Sequence, residues 1–255
     1  MFTEYEELLL NIKPAPFQGV HKGFLIHCGG EGPFSSCIHP LYSRNQNMQE
    51  KIGSCEEFVE RLGVDPAFRI IFEKGYQRFD EELYRRGYEK AGQGLVKALD
   101  IEKLREELFT FASFIQNGVF FEESLKDIWV SDRVYLLEMR EDRKDLFVDS
   151  VSRVMLKSAY FSLVDQNVLL GQGLAMFSGD KMLIHSIVVN KKYRRLSYGR
   201  RLLMSILSFG LRGGAKIAVT DIDYRNTTAL KLFEKVGFED LYPYCYRMKR
   251  REMKQ

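Results

Sequence analysis

Apolar residues follow two rhythms along this chain, and the change from one to the other marks its elements. Ile52, Cys55, Phe58, Val59 and Leu62 fall on one helical face that stops at Gly63. Leu202, Leu203, Ile206, Leu207 and Leu211 mark a longer amphipathic helix closed by Gly213-Gly214. Ala229, Leu232, Phe233 and Val236 predict a helix starting near Asn226, with Gly237 just past its end. Helical spacing also predicts helices over 79–86 and 144–157, and Thr3 with Glu6 reads as a capping box opening a helix over 8–12. Short apolar runs over 24–26, 35–38, 68–72, 159–164, 168–177, 182–189, 217–222 and 244–248 predict strands. The glycine cluster Gly29-Gly30-Glu31-Gly32 lies between the first two, as in a hairpin. Residues 100–118 read as a connector with a helical period through Ile101, Leu104, Leu108, Phe111 and Ile115, and 124–138 suits a helix or a strand. Residues 1–99 thus read helix, strand, strand, helix, strand, helix, strand.

One stretch echoes another. Leu83-Tyr84-Arg85-Arg86-Gly87-Tyr88-Glu89 and Leu232-Phe233-Glu234-Lys235-Val236-Gly237-Phe238-Glu239 both read as a helix end, a glycine, an aromatic and an acid before a strand. This points to two halves that are distant copies of one fold.

Composition narrows the picture without deciding it. A chain of 255 residues admits one large domain or two small ones. With 45% apolar and 29% charged residues, disorder, collagen-like repeats and coiled coil are excluded as the main architecture. A net charge of +3 is too small to argue for a nucleic-acid partner, and the basic tail Lys249-Arg250-Arg251 carries no aromatic-basic motif beside it. No apolar run approaches the roughly 18 residues of a membrane span. The acidic start, Met1 to Glu7, does not read as a signal peptide. The four cysteines, Cys28, Cys37, Cys55 and Cys245, form no CxxC pair, which predicts reduced thiols and a cytoplasmic protein.

Candidate chemistry concentrates in Val188-Val189-Asn190-Lys191-Lys192-Tyr193-Arg194-Arg195-Leu196-Ser197-Tyr198-Gly199-Arg200-Arg201. A buried strand runs into a basic loop and then into the first turn of a helix. The unpaired N–H groups of that turn and the helix dipole favour an anion. The small residues Ser197 and Gly199 let a phosphate approach the backbone, and the arginines add charge. The segment suits a pyrophosphate; its plainer reading is a solvated basic helix start.

This stretch resembles the acetyl-CoA signature of the GNAT superfamily of N-acetyltransferases, Q/R-x-x-G-x-G/A, with Arg194 first, Gly199 last and Ser197 in place of the middle glycine. Asn226-Thr227-Thr228-Ala229-Leu230-Lys231-Leu232-Phe233-Glu234-Lys235-Val236-Gly237-Phe238 is similar to the family's N-x-x-A-x-x-L-Y-E-K-x-G-F helix. The close likeness covers 181–248, with a looser one back to about residue 118. Residues 22–98 look like the degenerate first half of tandem GNAT proteins, with no CoA signature of their own. The resemblance implies an α+β, sandwich-like GNAT fold, a mixed central sheet flanked by helices in two related halves. It implies a degenerate N-terminal half over 1–99, a connector over 100–117 and a C-terminal acetyltransferase domain over 118–255.

It further implies transfer of an acetyl group from acetyl-CoA to a primary amine of a small molecule or peptide by direct attack in a ternary complex. In that scheme two strands splay apart, and the pantetheine arm pairs with the backbone around Ile187, Val188 and Val189. Arg194, Arg195, Leu196, Ser197, Tyr198, Gly199 and Arg200 hold the pyrophosphate, and Asn226 and Phe233 lie along the arm. The family often has a tyrosine, as general acid, where this chain has Phe233. Tyr244 and Tyr246, on one face of the last strand, are the alternatives, or aromatic packing. His185, the one histidine of the second half, is the candidate base, directly or through water, or else a core residue. Asp221 and Asp223 are weaker candidates for binding a cationic amine. The competing function is a catalytically silent acyl-CoA-binding or interaction module, for which Phe233 and Ser197 speak.

His27, Cys28, Cys37 and His39 cluster on the expected hairpin, but neighbours on a strand point to opposite faces, so the four are not expected to converge and no metal is expected. The acceptor amine is not readable from the chain, nor is oligomeric state, a homodimer included.

Overall fold

The computed structural model describes residues 3–12, 14–29, 36–41, 47–72, 74–114 and 118–249. The first half runs α1 (Thr3–Leu9), β1 (Phe17–His21), β2 (Phe24–Cys28), β3 (Cys37–Pro40), α2 (Met48–Arg61), β4 (Ala67–Ile71), α3 (Gln77–Arg85) and β5 (Glu89–Asp100). A single 3-10 turn, Ile101–Leu104, leads into α4 (Arg105–Phe114) and β6 (Val119–Glu122). Then follow α5 (Asp127–Leu137), α6 (Glu141–Ser152), β7 (Lys157–Asp165), β8 (Val168–Ser178) and β9 (Lys181–Val189). The chain closes with α7 (Tyr198–Arg212), β10 (Ile217–Asp223), α8 (Thr227–Val236) and β11 (Glu239–Met248).

Most elements lie where the apolar rhythm predicts them. The first helix is an exception: it ends at Leu9, although Leu8, Leu9 and Ile12 are all buried. The undecided stretch 124–138 forms the helix α5, with Trp129, Val130 and Leu136 inward. The expected connector is helical over Ile101–Leu104 and Arg105–Phe114, with Ile101 and Leu108 fully buried in the core; Ile115 lies outside the described residues. β1 was not expected. Phe17 and Val20 are both exposed, so this edge strand carries no inward-facing pattern to read. Ser35 and Gly30 to Gly32 of the expected hairpin lie outside the described residues, but its strands β2 and β3 pair antiparallel, His27 opposite Cys37.

The eleven strands of the described residues join one mixed sheet in the order β1-β2-β3-β4-β11-β5-β10-β9-β8-β7-β6. The order shows a strand exchange. β5, from the first half, pairs with β10 and β11, while β11, from the second, pairs with β4 and β5. The sequence echo sits at this crossing. Behind α3, Gly87 N–H donates to the Tyr84 carbonyl and Tyr88 N–H to that of Leu83; behind α8, Gly237 and Phe238 donate to Glu234 and Phe233. Each is the same left-handed glycine stop, with φ 84° at Gly87 and 101° at Gly237. Tyr88 and Phe238 then turn into the core. The repeat extends to the parallel pairs β3/β4 and β9/β10.

Helices cover both faces. On one, α7 packs on β8 and β9 with α4 and α8 beside it, and α2 and α3 lie over the first-half strands. The opposite face carries α1, α5 and α6; Trp129 of α5 stacks near Phe147 of α6, and α1 reaches β10. None of the helices among the described residues is long and apolar enough to cross a membrane.

Candidate active site

β9 and β10 part in the middle of the sheet. Their ladder pairs Ile217 with Lys181, Ala218 with Met182 and Val219 with Leu183, and ends there. β9 runs on to Val189 paired only with β8, and β10 to Asp223 paired only with β5, so their facing edges beyond Leu183 and Val219 border a cleft. Ile187, Val188 and Val189 lie on this stretch of β9.

A bulge bends β9 at the mouth of that cleft. On β8, Gln172 and Leu174 are two residues apart; their partners on β9, Val188 and His185, are three apart. The extra residue is absorbed by Ser186 at φ 60°. Its carbonyl, turned out of the ladder, accepts a hydrogen bond from the Arg133 guanidinium of α5. Gly173 lies opposite the bulge, where a methyl group would run into Ile206 of α7.

The basic loop follows. Asn190 caps the turn Lys191–Tyr193 by accepting from Lys192 N–H at 3.1 Å. Arg195 and Ser197 both adopt left-handed backbone, φ 65° and 61°, and Ser197 precedes α7 without a side-chain cap. The first intrahelical bond runs from Arg201 N–H to the Ser197 carbonyl, so the N–H groups of Tyr198, Gly199 and Arg200 open the helix unpaired within it. A methyl at Gly199 would only touch Leu232 at 3.4 Å and Val189 at 3.5 Å. The fold therefore has room for alanine there. The arginines are not all free: Arg200 pairs with Glu107 of α4 at 2.6 Å, and Arg194 Nε donates to the Val189 carbonyl at 3.3 Å. Leu196 is exposed.

Asn226 accepts from Ala229 N–H at 3.1 Å, the cap at the start of α8, and is itself exposed. Phe233 is buried and stands edge-on to Phe238 at 4.8 Å, a core position.

The face carrying α1 and α5 holds the remaining candidates. His185 is half-buried, with Nδ1 2.6 Å from Ser186 Oγ. Asp221, just past the end of the ladder, shares that face. Tyr244 is buried and lies beneath the guanidinium of Arg69, 3.7 Å from ring centre to Cζ. Arg69 also donates to Tyr246 Oη at 3.2 Å, to Glu6 through Nε and Nη2 at 2.7 and 3.0 Å, and lies 3.7 Å from Asp221. Tyr242 donates to Glu6 at 2.9 Å. Burial, then the Asp221 charge, raises the Tyr244 phenol far above its ordinary range, and burial does the same to Tyr246. Both are held as neutral donors. Gly94 makes this possible: a β-carbon there would meet both the Tyr244 hydroxyl and the Ile222 carbonyl, so the phenol reaches across β5 to β10 only over glycine.

Arg69, Glu6, Gly94, Arg133 and Ser186 were not expected. Arg69 left a signal, a charge inside the apolar run Ala67–Ile71, and such a charge needs partners once buried.

As expected for neighbours on a strand, the four do not all converge: Cys28 turns away into the core with Phe24 and Ile26. The other three do, with the donor atoms of His27, Cys37 and His39 within 4.8 Å of one another.

Residues 123–238 match the acetyltransferase (GNAT) family. That segment is a GNAT acetyltransferase domain. The chain is 20% identical to an uncharacterized N-acetyltransferase, YobR, of Bacillus subtilis over 200 residues, 76% of this chain and 77% of that one. A GCN5-related N-acetyltransferase from Kribbella flavida superposes with a TM-score of 0.71 at 9% identity, covering 99% of this chain and 96% of that one. A tandem GNAT protein from the clavulanic acid biosynthesis pathway superposes at 0.69 and 13% identity, covering 93% and 84%. These structures show the same fold across both halves of the GNAT chain. As a GNAT protein it is an acyltransferase.

Proposed function

We propose that this GNAT protein transfers an acetyl group from acetyl-CoA to a primary amine of a small molecule or peptide, by direct attack in a ternary complex. One observation carries the reading: the β9/β10 ladder ends at Leu183 and Val219, and the cleft lies beside the basic, left-handed loop that opens α7. A pyrophosphate on the N–H groups of Tyr198, Gly199 and Arg200, with Arg194, Arg195, Leu196 and Ser197 around it, directs the pantetheine arm between the strands. Ile187, Val188 and Val189 pair with the arm, while Asn226 and the α8 face bearing Phe233 border it.

The amine approaches from the face of His185 and Asp221. His185 takes the ammonium proton, through water where needed. The free amine attacks the thioester carbon, and backbone N–H groups at the Ser186 bulge stabilise the oxyanion. The C–S bond then breaks, and the thiolate is protonated from Tyr244, whose phenol is kept neutral; Tyr246 orients it through Arg69. The first half, 1–99, with 100–117 leading into the acetyltransferase domain 118–255, supplies Arg69 and Glu6 and so shapes acceptor choice. The four free thiols, all buried, favour a reducing compartment, the cytoplasm.

Calorimetry with acetyl-CoA tests the first step: wild type binds, and Gly199→Trp, which fills the helix start, does not. Thiol release against a panel of amines tests the second, and absence of CoA binding at millimolar ligand defeats the proposal. The core position of Phe233 favours a second reading, a silent acyl-CoA-binding module, which predicts binding without release; turnover of any amine excludes it.

A further inference from the structure

We propose that His27, Cys37 and His39 bind one divalent cation of the zinc class, a site separate from the acyl-transfer cleft. It lies on the first-half hairpin, several strands from β9.

The hairpin register builds the site. His27 faces Cys37 directly across the ladder, and His39 is two residues further along β3, so all three side chains share one face. The two imidazoles are 9% and 8% exposed and Cys37 is 2% exposed. The rings stand at 82° to each other, with Nε2 atoms 3.1 Å apart. Two nitrogens bound to one tetrahedral zinc, each at roughly 2.0–2.1 Å, would stand about 3.3 Å apart, so the spacing fits a shared cation. The thiol sulfur joins them within 4.8 Å.

The alternative occupant of that gap is a single proton in a histidine–histidine hydrogen bond. It satisfies the site poorly. A proton there joins only the two rings and leaves the Cys37 thiol with backbone contacts alone, its bond to the Ile38 carbonyl a long 3.9 Å. Burial pushes His27 down to about 4 and His39 well below its ordinary range, and lifts Cys37 up to about 12. Imidazole nitrogen and cysteine sulfur are the ligand types of a tetrahedral zinc site. Zinc binding forms one Zn–S and two Zn–N bonds, and the Cys37 proton leaves to solvent. The nearby charges do not oppose this, since Glu6 pairs with the Arg69 guanidinium beside the site. His39 also borders a small pocket with Glu6, Arg69 and Tyr76, from which water can take the fourth position.

The test is cobalt(II) titration of the full chain after removal of metal with a chelator. Wild type is expected to take up one cobalt per chain, with the visible bands of a tetrahedral site and a thiolate-to-cobalt charge-transfer band, and to release it to equimolar zinc(II). Cys37→Ser abolishes the charge-transfer band and His39→Gln weakens uptake at least tenfold. Cys28→Ser, on the opposite face, changes neither. Folded wild type that takes up no cobalt, or a band that survives Cys37→Ser, overturns the proposal. Should the site variants fail to fold, X-ray absorption of zinc-loaded wild type decides: one sulfur with two imidazoles sustains the site, and a shell without sulfur overturns it.

Discussion

At the scale of single residues, the candidate site turns on positions where a side chain is absent or out of place. Gly94 is the clearest. It has no unusual φ, so its role is space: the Tyr244 hydroxyl occupies the volume a β-carbon would fill. Gly94→Ala is expected to move that phenol, destabilising the fold by about 1–3 kcal/mol through overpacking. Thiol release should fall at least tenfold while acetyl-CoA affinity stays within twofold. Melting temperature, kcat and calorimetric Kd check the three parts, and unchanged kcat would remove Tyr244 from the reaction. Gly199 behaves in the opposite way, because alanine fits against Leu232 and Val189. Gly199→Ala, a residue the signature also admits there, should fold as wild type and keep its calorimetric affinity for acetyl-CoA, whereas Gly199→Trp loses it. The loop from Arg194 to Gly199 was legible in the sequence because its chemistry is local, a run of charges and small residues before a helix. The Gly94 notch and the Arg69 cluster were not, because only the sheet order brings Gly94 to Tyr244 and joins Arg69 to partners 63 and 177 positions away.

At the scale of elements, α1 shows how one ion pair can place a helix. A helix of seven residues has little stability of its own. Leu8 and Leu9 bury its apolar side, with Ile12 buried just beyond its end, and Glu6 reaches a guanidinium whose side chain is 5% exposed. Removing one partner leaves a buried charge uncompensated, so Glu6→Gln should cost about 3–5 kcal/mol. Replacing both, Glu6→Gln with Arg69→Met, should cost less than the sum of the single changes. Chemical denaturation of the four proteins in the cycle measures this, and additive losses would show that α1 is held by its apolar side alone. The elements with strong periodicity, α2, α7 and α8, were predicted close to their observed positions. β1 was not, because an edge strand with both faces wet carries neither period.

At the scale of the whole molecule, the strand exchange governs how the halves depend on each other. The last strand of each half completes the sheet of the other, with β5 between β10 and β11 and β11 between β4 and β5. The sequence showed the repeat, through Gly87 and Gly237, but not the exchange, since an echo tells which strands correspond and nothing of which sheet each one enters. A chain cut at residue 118 would leave β10 as an open edge, with Ala218 and Ile222 no longer facing Leu99 and Leu95. Exposed edges of this kind promote aggregation. The full chain should therefore unfold in one calorimetric transition, with its van't Hoff and calorimetric enthalpies equal. Residues 118–255 expressed alone should aggregate, and co-expression with 1–117 should return soluble, acetyl-CoA-binding protein. Two resolved transitions, or a soluble and active 118–255, would show that the halves fold independently and that β5 is dispensable. The single-transition outcome would explain how a half without a CoA signature is retained, since it supplies the strand that the acyl-transfer half lacks.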